Sequence, residues 1–180
     1  MFGVKIRTLY KVVSLGGAVI AFSSCVDKPT YPSEPVIAYE DFIRYGNPSS
    51  PDSVEAVFSF TDNEGDIGMR QEDVNGVFSG TDSLKFGNFY MIYFYWDTTG
   101  SDHWSPYDLD LSTPDIDTLK VYYRVPLVLP DGDPDEPVKG LLYVKQSLFI
   151  NPYPKIMYKA YMYDMARHKS NVVDTPELNF

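Results

Sequence analysis

Apolar residues that recur at every second position constrain this chain more than any other feature, because a period of two fits a half-buried strand and no helix. From Ser53 to Thr61, Val54, Ala56, Phe58 and Phe60 alternate with Glu55, Ser59 and Thr61, and Val57 is the exception. Asn88 to Trp96 is apolar on both faces, with Phe89, Met91, Tyr93 and Tyr95 on one and Tyr90, Ile92, Phe94 and Trp96 on the other. A strand covered on both sides belongs in the middle of a sheet. Thr118 to Leu127 and Lys155 to Asp164 repeat the alternation, Leu141 to Phe149 is a further strand-like run after Gly140, and Asn171 to Leu178, interrupted by Pro176, reads as an edge strand. With Val36 to Tyr45 these make seven strand candidates separated by turn signals. No stretch sustains a capped 3.6-residue pattern. The expectation is an all-β sandwich of two antiparallel sheets over residues 36–180, in preference to a closed barrel.

Composition agrees and excludes several functions. Aromatic residues make up 16% of the 180, with 15 Tyr and 14 Pro, which suits strands and turns. The formal charge of −10 repels phosphate backbones, so no nucleic acid is expected as a partner. One cysteine, Cys25, allows no internal disulfide, and His103 and His168 are too few for a Cys/His zinc cluster.

The first 24 residues have the form of a signal peptide. Lys5, Arg7 and Lys11 precede an apolar run, Val12 to Phe22, that is too short to span a bilayer comfortably. The run closes on Phe22-Ser23-Ser24-Cys25, which resembles the lipobox of bacterial lipoproteins. That resemblance implies cleavage before Cys25, acylation of its thiol and a membrane anchor of two or more chains. Loss of the three basic leader residues would leave 12 positive and 25 negative side chains, a net of −13. Residues 25–35, with Pro29, Pro32 and Pro35, read as the lipidated cysteine and an extended tether.

Two further segments resemble small uncharacterised lipoproteins of the Bacteroidota. Val57-Phe58-Ser59-Phe60-Thr61-Asp62-Asn63-Glu64-Gly65-Asp66-Ile67-Gly68 is similar to their phenylalanine-rich strand and "DGDGDIG" turn. Tyr161 to Val173 is similar to their "DRALNKSNVV" ending, in which an Asp-x-Ala turn joins the last two strands of immunoglobulin-like and fibronectin-like domains; Met165 and His168 depart from it. The resemblance implies an immunoglobulin-like sandwich of about seven strands and a lipid-anchored outer-membrane address, on the periplasmic or the cell-surface face. It brings no activity, since fold does not fix function.

Several residue sets suggest sites. Asp62, Glu64 and Asp66 recur every second residue after a strand, so their carboxylates suit a hard cation such as calcium; the same residues also suit a solvated acidic turn. Asp164 lies at the same pole if the strand order is immunoglobulin-like. Asp131, Asp133, Asp135 and Glu136 are spread by Pro134 and Pro137 and read as a turn. Ser53, Ser83, Thr98 and Thr118 sit in Asp-Ser/Thr-x tripeptides that match the O-glycosylation pattern of Bacteroidota, or else cap strand starts. Trp104 and Tyr107, aromatic in a polar loop, suggest a glycan-binding platform. Ser101, Asp102 and His103 are sequence neighbours with no turn to aim them at one another, so no catalytic role is expected. The functional expectation is a non-enzymatic, lipid-anchored envelope protein that binds another protein, with glycan binding as the alternative.

Overall fold

The computed structural model describes residues 28–47, 50–70, 87–99, 103–107, 120–128, 136–148 and 153–180. The described residues form strands β1 (Val36–Asn47), β2 (Ser50–Asp62), β3 (Phe89–Trp96), β4 (Trp104–Pro106), β5 (Lys120–Tyr123), β6 (Val138–Ser147), β7 (Lys155–Met162), β8 (Val173–Asp174) and β9 (Leu178–Asn179). No helix is present among the described residues. All pairings are antiparallel and fall into two sheets, one ordered β1-β2-β6, the other centred on β3 and β7.

In the second sheet, β5 pairs Phe89 to Ile92 and β4 pairs Phe94 to Trp96, so they take successive stretches of one edge of β3. In the same way β8 and β9 share the outer edge of β7. With first, second and sixth strands on one side and third, seventh and last on the other, this is the immunoglobulin order. The strand expected to be central is central: β3 lies between β7 and the β4/β5 edge.

The sheets meet through their inward residues. Phe58 of β2 packs on Phe89 of β3 with ring centroids 5.3 Å apart, and Ile37, Ile156, Met91, Met162 and Leu178 fill the same core. Hydrogen bonds also tie the sheets together. The Asn171 side chain accepts from the Ile37 amide through Oδ1 and donates to the Ile37 carbonyl through Nδ2, each at 2.9 Å.

Three elements differ from the sequence expectation. Among the described residues of the Thr118–Leu127 run, only Lys120 to Tyr123 pair with β3; beyond them the amides turn to other partners, as Val125 N–H donates to the buried Asn88 Oδ1. The last run is two short strands, because Pro176 has no N–H to continue the ladder. Strand β4, three residues long, has no alternation to announce it.

Candidate metal centre

Asp62 ends β2 and Asp164 follows β7, so the topology brings one acid from each sheet to the same pole. Between them, from the loop after β2, comes Asp66. One carboxylate oxygen from each of Asp62, Asp66 and Asp164 lies within 4.8 Å of the other two. Asp62 and Asp164 are fully buried, at 0% and 1% exposure.

Each of the three acids has one oxygen held by a backbone amide. Gly65 N–H donates to Asp62 Oδ2 at 2.7 Å, from a residue whose φ of 71° turns the loop back on itself. Ala166 N–H donates to Asp66 Oδ2 at 3.0 Å, and His168 N–H to Asp164 Oδ1 at 2.7 Å. The turn that makes the last bond places Arg167 in the left-handed region at φ 72°. His168 Nδ1 stands 2.9 Å from Asp164 Oδ2. By contrast Asp62 Oδ1, Glu64 Oε2 and Asp66 Oδ1 are buried with no hydrogen-bond partner.

The electrostatics follow from this crowding. Burial pushes the Asp62 carboxyl up to about 7; the Asp66, Asp164 and Glu64 charges add to the rise, and the Gly65 amide opposes it. Asp164 is also raised, by burial first, against the His168 amide that lowers it. His168 is raised in turn, chiefly by the Asp164 charge.

The set expected from sequence is therefore modified. Asp62 and Asp66 converge, the partner at the third corner is Asp164, and Glu64 lies outside the trio while keeping a buried, unpartnered oxygen. The role of His168 was not anticipated; its signal is the spacing of four residues from Asp164 across a tight turn.

The other expected sites fare differently. Trp104 and Tyr107 do not form one platform, because alternation along β4 sends them to opposite faces of the sheet. Trp104 meets Trp96 edge-on at 5.3 Å, and His103 stacks on Trp96 at 4.5 Å. Tyr107 instead packs against Tyr93, Tyr95 and Tyr153. Ser53 is 8% exposed in the middle strand of its sheet, which withholds its hydroxyl from a glycosyltransferase. Thr98 is exposed, and Asp97 Oδ1 accepts from both the amide and hydroxyl of Thr99, which closes the turn after the end of β3 and is not the capping of a strand start. Cys25, Ser83, Thr118, Ser101, Asp102 and residues 131–135 lie outside the described residues.

Fold and site together define an immunoglobulin-order sandwich with a buried carboxylate cluster at one pole. Comparisons with protein-family models, curated proteins and solved structures give no match to this chain.

Proposed function

We propose that the chain is a non-enzymatic interaction module, lipid-anchored through Cys25 to the outer membrane of a bacterium of the Bacteroidota type, that docks another envelope protein. The observation that carries the docking reading is the outward face of β6. Leu141 and Tyr143 stand there 50% and 58% exposed, beside Ser59 and Val57 of β2, with Ile43 and Tyr45 of β1 also exposed on that sheet. Large apolar side chains gathered on one face favour a partner that covers them. The short apolar leader ending at a lone cysteine supports the anchor.

A photo-crosslinking amino acid at Tyr143, in protein expressed in its source bacterium, tests the docking face. One discrete adduct that disappears with Leu141→Glu is expected; no adduct, or one indifferent to Leu141→Glu, refutes it. Membrane fractionation and intact-mass measurement test the anchor, which fails if Cys25 is unmodified or Cys25→Ala leaves the protein at the membrane.

Glycan binding is the second reading, favoured by the Trp96, Trp104 and His103 group on the outward face of the other sheet, where Lys155 lies 4.9 Å from the Trp96 ring centre. Saccharide binding on an array that Trp104→Ala abolishes would select it over the first.

A further inference from the structure

We propose that Asp62, Asp66 and Asp164 bind a calcium ion that clasps the two sheets together at this pole. The inference is independent of the anchor and of the docking face. It rests first on the orphaned oxygens. Asp62 is completely buried and its Oδ1 has no partner, an arrangement that costs stability unless something positive meets it. Asp66 Oδ1 is orphaned in the same way.

It rests next on spacing. Calcium holds oxygens at about 2.3–2.6 Å, so two of its ligands are separated by at most about 5 Å. The three acids place one oxygen each within 4.8 Å of the others, inside that limit. The donor set is all carboxylate, which suits a hard cation; the one nearby imidazole, His168, is already directed at Asp164. Calcium takes six to eight oxygens, so water and further carbonyl or carboxylate groups, Glu64 among the nearest, would complete the shell.

The amide bonds to Asp62 Oδ2, Asp66 Oδ2 and Asp164 Oδ1 hold each carboxylate in place before any ion arrives. Because Asp62 belongs to the end of β2 and Asp164 to the turn after β7, an ion here joins segments about 100 residues apart. Three negative charges around one divalent ion would convert a repulsive cluster into a cross-link between sheets.

The test uses the full chain, stripped with a chelator, in thermal melts with and without calcium chloride and in terbium luminescence sensitised by nearby tyrosines such as Tyr163. Calcium at about 100 times its dissociation constant should raise the melting temperature by roughly 5–10 °C. Asp62→Asn and Asp66→Asn should each abolish that shift and the terbium signal, while Asp174→Asn, on the exposed Lys159 pair, should leave both intact. If either variant fails to fold, displacement of terbium by calcium from the unaltered chain remains a direct reading of the site. No shift at 10 mM calcium, on the order of ten times the weakest usual extracellular affinity, together with no terbium signal from the calcium-free chain, would overturn the proposal. So would a shift that survives both variants, or one reproduced by sodium chloride at the same ionic strength.

Discussion

The outer edge of β7 is completed by two hydroxyl groups, and one of them gives a clean measurement. Where Pro176 breaks the last strand, Thr175 Oγ1 accepts the Tyr158 amide at 2.9 Å, and the Thr175 amide donates back to the Tyr158 carbonyl at 2.9 Å. Four residues along, Ser170 Oγ accepts the Met162 amide in the same way. Thr175 and Tyr158 are 5% and 2% exposed, so water cannot take over an abandoned bond. Thr175→Val keeps the shape of the side chain and removes only the acceptor. The Tyr158 N–H is then left buried and unpaired, at a cost of about 1–3 kcal/mol. For a chain of this size that is a fall in melting temperature of roughly 2–12 °C, with about 6 °C for the central value. Thr175→Ser keeps the acceptor, so it should lose less than Thr175→Val although it deletes a methyl group. Tyr158 and Met162 are about 13 Å apart along the strand, so Ser170→Ala and Thr175→Val should add within about 0.5 kcal/mol. Thermal and urea unfolding give both comparisons. A Thr175→Val protein as stable as the parent, or less affected than Thr175→Ser, would refute the hydroxyl as the reason this broken edge holds.

In chelator, Asp62 sets a pH dependence whose sign is fixed by its raised carboxyl. An acid shifted from 3.8 to about 7 stabilises the fold, relative to its charged form, below the lower value, and that stability is lost as pH rises towards the upper one. Asp62→Asn should therefore gain on the parent by about 2–3 kcal/mol between pH 5 and pH 8 in urea unfolding; a constant difference over that window contradicts the assignment. Gly68 has φ of 105°, and a Cβ there would lie 2.2 Å from the Pro126 carbonyl oxygen. Gly68→Ala should cost about 1–3 kcal/mol, read from the urea midpoint, and a neutral result would mean that the Ile67–Met69 segment gives way easily.

How far the fold was legible depended on how much of each strand is covered. The runs that became β2, β3 and β7 are long and at least one of their faces is packed, so period-two spacing reported them directly. Strand β4 has three residues, one of them Pro106, and exists because the edge of β3 at Phe94 to Trp96 is open to it. Such pairing is fixed by tertiary context and leaves no local pattern. The shortening of β5 has the same origin, since Met69 N–H takes the Val125 carbonyl and Val128 N–H the Ile67 carbonyl, drawing the chain away from β3. For the aromatic pair, alternation was the available signal: Trp104 and Tyr107 are three apart, which in a strand means opposite faces.

The acidic pole illustrates a different limit. Asp62 and Asp66 were visible as a loop pattern, but a loop pattern alone suits a solvated turn as well as a cation. What separates those readings is burial, and burial comes from the opposite sheet. The turn from Asp164 to His168 closes over the loop after β2, with Met165 N–H donating to the Asp66 carbonyl and Ala166 N–H to its side chain. An acidic turn facing water would have no oxygen without a partner, whereas this one has three. At the same pole Asn171 ties the last hairpin to Ile37, and Tyr31 N–H donates to Asn63 Oδ1, so the chain entering the sandwich is bonded to the acidic loop itself. Such ties hold the acids together against their own repulsion. A cation would reverse the sign of that interaction without requiring any of these bonds to move.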